Sequence, residues 1–306
     1  MRLKLGVMKV EIRGCKATEL TGLIEHLDHE FVRSKQRSLS LCKRFPNTLS
    51  LDNIEQIWVA VSGGVLCGSV SMRMFEWSAE EHSWRGAMVG MVWVDSKHRG
   101  RGIGSKLLSS VVELLHEREV DFGILWTGNP SFYERAGWVL HDRGLFGQAG
   151  KSSASQRLDI VSCWPLASGD VGWLERLRAN SLPVRVVRNA RDYRAIPIPA
   201  VQVLCFSVQS HDDGEGFALV GEQDGIGYFY EMVAPPSLWA TIWIAVTKRF
   251  GQLLVNGQAG APFAQWLAEN GLVVWQPQNK AMWLRISARM GSPFLNGWHV
   301  PYFDWI

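Results

Sequence analysis

Residues 88–139 read MVGMVWVDSKHRGRGIGSKLLSSVVELLHEREVDFGILWTGNPSFYERAGWV, and the fold follows from how this stretch divides. The apolar run at 89–94 has the length and β-branched content of a buried strand, and it stops at Asp95-Ser96-Lys97-His98. A loop follows, Arg99-Gly100-Arg101-Gly102-Ile103-Gly104. Leu107, Leu108, Val111, Val112, Leu114 and Leu115 then recur at helical spacing. The glycines therefore stand at a helix N-terminus, where first-turn N–H groups lack partners and the macrodipole places roughly half a positive charge.

An anionic phosphate needs this arrangement. Gly102 and Gly104 permit close backbone approach, Arg99, Arg101 and Lys106 add charge, and Ser105 adds a hydroxyl donor. A Walker loop would end in Gly-Lys-Ser/Thr, and a dinucleotide fold would set an acidic residue at the end of the next strand. The next strand, 122–126, ends in Thr127-Gly128-Asn129, so neither pattern applies.

Arg99-x-x-Gly102-x-Gly104 after a strand ending at Val94, followed by Asn129-Pro-Ser-Phe-Tyr133-Glu-Arg-Ala-Gly-Trp138, resembles the coenzyme-binding core of the GNAT acyltransferase superfamily. The resemblance extends over about residues 7–141. It implies that main-chain amides of Arg99, Gly100, Arg101, Gly102, Ile103, Gly104 and Ser105 hold the pyrophosphate of acetyl-CoA. It further implies that the strand edge at Val92, Trp93 and Val94 pairs with the pantetheine arm, that Tyr133 is the general acid, and that Asn129 faces the coenzyme. The segment between Asn129 and Tyr133 is shorter than in many members.

The chemistry of acyl transfer suits these residues. A thioester passing its acyl group to an amine needs a neutral amine, a donor to the carbonyl oxygen and a proton for the departing thiolate. A phenol with a pKa near 10 is protonated at neutral pH and can supply that proton. No cysteine lies in these motifs to carry the acyl group, so direct attack in a ternary complex is expected.

Composition narrows the rest. The 306 residues suggest two domains, the 47% apolar content supplies their cores, and a net charge of +3 without a Lys/Arg block gives no indication of nucleic-acid binding. Cys15, Cys42, Cys67, Cys163 and Cys205 are dispersed and read as reduced residues of a cytoplasmic protein. His26 and His29 read as a solvated helix face, and no metal site is expected. The start, MRLKLGVMKVEIRG, has no signal-peptide pattern, and no run is long enough to span a membrane.

In chain order, a strand is expected at 7–12, a helix from Thr18, and a second helix over 31–45 whose Phe31, Arg33, Arg37 and Phe45 are candidates for the acceptor side. A hairpin turns at Ser62-Gly63-Gly64. Residues 76–86 read as an acidic loop in which Glu76, Glu81 or His82 could attract and deprotonate an amine. A Gly/Ser-rich linker is read at 145–156, dividing the chain into a catalytic domain (1–145), a linker (146–157) and a second domain (158–306). The second domain offers a turn at Asp212-Asp213-Gly214, a hairpin at Gln223-Asp224-Gly225, and helix, strand, helix, strand over 237–275 in the succession of 88–139. Residues 281–286 read as a further strand of that domain. Ala234-Pro235-Pro236 stands where its phosphate loop would be, and prolines lack the N–H donors. The tail from Phe294 to Ile306 is aromatic enough to pack, and the Ile306 carboxylate is a further candidate near the site.

The expectation is an α+β chain of two GNAT-like domains in tandem, the first an acetyl-CoA-dependent N-acetyltransferase and the second degenerate. The acceptor is read as a small-molecule amine rather than a protein, with a homodimer one option. The base is left open among Glu76, Glu81, His82, the C-terminal carboxylate and water. A non-catalytic acyl-CoA sensor and a longer acyl donor remain as alternatives.

Overall fold

The computed structural model describes residues 9–79, 81–150, 161–210, 214–291 and 297–306. Strand β1 (Val10–Gly14) leads to helix α1 (Leu20–Phe31), whose Leu20, Leu23 and Leu27 recur on one face and are buried. The continuous helix expected over 31–45 does not form. Gln36 adopts a left-handed φ of 54°, the chain turns back, and only the short α2 (Leu41–Arg44) follows. Asp28 of α1 then accepts bonds from Leu41 N at 2.8 Å and Ser40 Oγ at 2.5 Å, satisfying a donor at the start of α2.

β2 (Ile57–Ser62) and β3 (Val65–Ala79) form the expected hairpin, with Gly63 and Gly64 at φ 58° and 82°. β3 pairs with β4 (His82–Val94), so residues 76–79 and 82–86 are paired strand rather than an acidic loop. Glu76 stands opposite Arg85 and Trp77 opposite Trp84. Buried and exposed side chains alternate there, which is a strand pattern with one wet face.

α3 (Ile103–Glu117), β5 (Phe122–Trp126), α4 (Pro130–Glu134) and β6 (Val139–Leu140) complete the stretch quoted at the outset. On α3, Ile103, Leu107, Leu108, Val111, Leu114 and Leu115 are buried, each such side chain contributing about 2 kcal/mol by leaving water. They pack with Ala60 on one face of the sheet, while Ile57, Val59 and Val61 of β2 meet α1 and α2 on the other.

β7 (Gly144–Ala149) and β8 (Ser162–Pro165) flank an interval outside the described residues. α5 (Val171–Ser181), β9 (Val184–Val187), β10 (Gln202–Ser210), β11 (Gly214–Gln223) and β12 (Ile226–Val233) follow. α6 (Pro236–Arg249), β13 (Gln252–Gln258), α7 (Pro262–Glu269), β14 (Val273–Pro277) and β15 (Ala281–Arg285) close the regular structure. Of the Asp212-Asp213-Gly214 turn, the two aspartates lie outside the described residues.

The two mixed sheets do not divide where the chain does. The first runs β1-β2-β3-β4-β5-β15-β6, with β9 beside β3; the second runs β14-β7-β13-β12-β11-β10-β8. β7 belongs to the second sheet although residues 145–149 were expected as linker. β15 enters the first sheet although it was expected in the second. Trp283 of β15 lies opposite Ile124 of β5, donates Nε1–H to the His141 carbonyl at 2.8 Å, and packs on Phe122 with ring centres 5.5 Å apart. Trp298 packs on Phe122 and Trp77 at 5.6 and 5.2 Å. The first core is therefore completed by the last part of the chain.

Candidate active site

β4 and β5 run parallel but pair only from Gly86–Phe122 to Met88–Ile124. Beyond that they separate. The register of β4 with β3 slips where Ser69 faces Trp93 and Ser71 faces Gly90, so Met91 and Val92 share the space opposite Val70. Met91 takes φ 52° at this bulge, and its carbonyl accepts from Ser69 Oγ at 3.2 Å. The bulge turns the β4 edge away from β5. A cavity of about 460 Å³ occupies the gap, with Gly90, Met91 and Val92 on one wall and Leu125, Trp126, Thr127 and Tyr133 on the other.

The glycine turn lies just past the C-terminal end of β4. Asp95 starts it, its Oδ1 accepting from Lys97 N and lying 3.0 Å from His98 Nδ1, and His98 with Lys97 holds the Asp95 carboxyl below its usual range. Gly100 and Gly102 have φ 76° and 73°, and no atom lies within 4 Å of where a Cβ would stand on either. Gly102 is the N-cap of α3 with no side-chain cap bond, so the amides of Ile103, Gly104 and Ser105 lack a capping oxygen. This open, uncapped turn fits a phosphate group.

The charged residues behave unevenly. Arg99 donates through Nε to the Val94 carbonyl at 3.0 Å and pairs with Glu30 at 2.9 Å, tying the turn to β4 and α1. Arg101, Ser105 and Lys106 are exposed. Ile103 is buried in the core, leaving its amide as its only contribution to the turn. Gly104 is tight, since a Cβ there would stand 3.0 Å from Phe132 of α4.

The other expected site residues separate into two groups. Val92 lines the cavity, whereas the Trp93 side chain is buried on the opposite face and stacks on His26 at 5.1 Å, so only its backbone belongs to the strand edge. Val94 packs in the core beside α3. Tyr133 lines the cavity. Burial raises its pKa, and the nearby Thr127 hydroxyl partly offsets the rise, so the phenol is held protonated. Asn129 is exposed outside the cavity lining, accepting from Ser131 Oγ at 3.0 Å. Glu76, Glu81 and His82 lie on the β3–β4 hairpin and do not line it either.

Phe31, Arg37 and Phe45 line the cavity as expected; Arg33 does not, and donates to the Glu25 carbonyl instead. Sequence reasoning missed Pro197, Ile198 and Lys280, which arrive from distant segments. The tail does reach the site. Trp305 stacks on Trp126 at 4.7 Å, Tyr302 donates to the Ile198 carbonyl at 2.8 Å, and a Cβ on Gly90 would stand 3.1 Å from Ile306. Beneath the tail, Arg188 pairs with both Asp304 oxygens at 2.8 Å and with Glu231 at 2.6 Å, all three groups buried. Arg73 of β3 donates to the Asp304 carbonyl at 3.3 Å and pairs with Asp192 at 2.8 Å.

In the second sheet β12 and β13 likewise pair in parallel, and α6 follows β12 as α3 follows β4. There Pro235 is the N-cap and Pro236 the first helical residue. A first turn headed by prolines lacks a donor.

A splayed parallel strand pair with an open glycine turn at its mouth and a half-buried phenol opposite could hold a ligand that has a phosphate at one end and an extended arm. Residues 11–140 match the model of the family described as the acetyltransferase (GNAT) domain. Among solved structures, a protein from Enterococcus faecalis V583 described as a probable N-acyltransferase has a TM-score of 0.74 at 11% identity, covering 92% of this chain and 73% of that one. A GCN5-related N-acetyltransferase from Anabaena variabilis has a TM-score of 0.70 at 10% identity, covering 91% and 73%. A tandem GNAT protein from the clavulanic acid biosynthesis pathway has a TM-score of 0.55 at 14% identity, covering 91% and 99%. No curated protein is similar enough in sequence to serve as a relative. Residues 11–140 are thus similar to the GNAT acetyltransferase domain, and the fold of the chain is that of two GNAT-like domains in tandem.

Proposed function

We propose that this protein is an acetyl-CoA-dependent N-acetyltransferase with one active site, the cleft between β4 and β5. The observation that carries the reading is that a single cavity joins the unpaired β4 edge to Tyr133, with the uncapped glycine turn just beyond the end of β4. The thioester supplies the activated acyl group. The amides of residues 99–105 bind the pyrophosphate, and the β4 edge at Val92 to Val94 orients the pantetheine arm as an added strand would be oriented. Main-chain N–H groups at the bulge polarise the carbonyl, and Tyr133 gives its phenolic proton to the thiolate.

Gly102→Glu places a carboxylate where the pyrophosphate belongs, in open space, at a local cost of about 1–2 kcal/mol for a side chain at φ 73° that a melting temperature would register. Such like-charge juxtaposition costs several kcal/mol, so coenzyme affinity is expected to fall on the order of 100-fold or more. Calorimetric titration of the wild-type chain should give one coenzyme per chain, because the first turn of α6 is headed by prolines. Unchanged affinity in the variant, or a stoichiometry of two, would contradict the assignment.

Tyr133→Phe keeps the ring and removes the proton donor. Turnover should drop roughly 10- to 1000-fold with little change in coenzyme affinity. Because burial raises the phenol's pKa, the alkaline loss of kcat in the wild type should lie above the ordinary phenol range and vanish from the variant's profile. A variant profile identical in height and shape would assign the proton to another group.

A further inference from the structure

The acceptor side of the cavity is apolar and aromatic, and its ionisable lining includes two cations, Arg37 and Lys280. Among the described residues no Asp or Glu side chain lines it. Arg37 spends one donor on the Phe31 carbonyl at 2.9 Å, and neither it nor Lys280 is in an ion pair among the described residues. Behind Arg37, Arg44 is 1% exposed and bonds only to main-chain oxygens, Ala200 at 2.6 Å, Leu39 at 3.2 Å, Ile196 at 3.3 Å and Pro199 at 3.4 Å. Burial, and then the neighbouring charge of Arg37, pull the Arg44 pKa down. Buried charges are ordinarily matched by an opposite charge. Arg44 spends its donors on main-chain oxygens, whereas Arg37 and Lys280 face the cavity without an ion-pair partner among the described residues; the acid in the lining is the terminal carboxyl of Ile306 at the β4 edge, its oxygen 3.1 Å from where a Gly90 Cβ would stand.

We propose that the acceptor is an apolar amine that also bears a carboxylate, with Arg37 and Lys280 receiving the carboxylate while the aromatic wall receives the body. A guanidinium suits a carboxylate because its planar fork can give two parallel N–H bonds, and of the Arg37 nitrogens Nη1 is the one seen bonded, to the Phe31 carbonyl. The amine then lies toward Tyr133 and the β4 edge. A second positive group at the far end of the ligand would instead meet Arg37 and Lys280, so polycationic amines are disfavoured. This inference rests on the reading of the cavity as an amine site.

Matched pairs of amines that differ only by the carboxylate test it: phenylalanine against phenethylamine, and 4-(aminomethyl)benzoate against benzylamine. Binding to the coenzyme A complex of the full chain is measured by calorimetry, and thiol release from acetyl-CoA is followed separately. In at least one pair the carboxylated member should bind about 10-fold tighter or more. That preference should collapse in Arg37→Gln and shrink in Lys280→Gln, with melting temperatures confirming that both variants fold. Equal or tighter binding by the uncarboxylated member of both pairs would overturn the acceptor class, as would no binding by any of the four. If those uncarboxylated amines still release thiol, acetyl transfer itself stands. Preferential binding of the carboxylated amines without thiol release would support the ligand class and overturn the catalytic reading.

Discussion

A chain cut after Gly150 is expected not to fold, although it retains every residue of the candidate catalytic motifs. β5 would lose its antiparallel partner β15, and β6 would lose its only neighbour in the sheet. Met282, Trp283 and Trp298 are 0, 2 and 3% exposed, and all three pack in the cores of the first sheet. Truncating one buried tryptophan costs about 3–5 kcal/mol, while a whole domain is stable by only about 5–15 kcal/mol. Removing two tryptophans, a methionine and a central strand exceeds that margin. The fragment also keeps β7, a strand whose two neighbours, β13 and β14, are gone. Near-ultraviolet circular dichroism and thermal melting provide the check; a cooperative melt with native tryptophan signals would refute the expectation.

Arg188→Met should destabilise the intact protein by about 3–5 kcal/mol, because removing one partner of a buried ion pair leaves an uncompensated charge inside. Here Asp304 loses its ion-pair partner, while Glu231 keeps only Arg178, at 3.2 Å. Asp304→Asn keeps the shape and removes one charge, so its cost is smaller, and its pH dependence is informative. Burial opposes ionisation of Asp304, yet Arg188, with Arg178 and Arg73, holds its carboxyl below the usual range. A depressed folded-state pKa contributes stability that is complete above the unfolded value of about 3.9 and is lost as the pH falls through the folded value. Asp304→Asn should therefore flatten the acid limb of the stability curve. Urea melts between neutral pH and pH 3 measure both effects. Because Trp305 follows Asp304 and forms a cavity wall, the acceptor KM should rise in both variants more than the coenzyme Kd.

What was legible in the sequence was local. A strand, a glycine turn and an amphipathic helix follow one another between residues 89 and 117, and their order could be read without knowledge of the rest. Tyr133 was singled out through the resemblance rather than by spacing, and its side chain does line the cavity. The partner of a strand is not local information. The short apolar run Ala281-Met282-Trp283-Leu284 is compatible with a buried strand, but nothing in those residues says that β5 and β6, rather than β14, flank it. The helix expected over 31–45 failed at Gln36, a residue with no strong aversion to helix, because the turn serves Asp28 on another element. The acidic residues at 76–86 looked like a loop since polar residues dominate; the β9 strand that pairs with 76–79 lies over a hundred positions away. Lys280, Pro197 and Ile198 had no signal of function at all, being brought to the cavity by sheet topology alone.

The crossing of β7 and β15 between the sheets also orders events during synthesis. Domains generally fold as units as they leave the ribosome, N-terminal first. This chain cannot follow that order. When residues 1–150 have emerged, the sheet that will hold the active site has an open edge at β5, and β7 has nowhere to pair. Both wait until β12 to β15 have been made. Open strand edges invite pairing with other chains, so the nascent protein passes through its most association-prone stage with the glycine turn already translated and the cleft not yet closed. A ligand that binds only the finished cleft can stabilise the protein only after the final strand is in place.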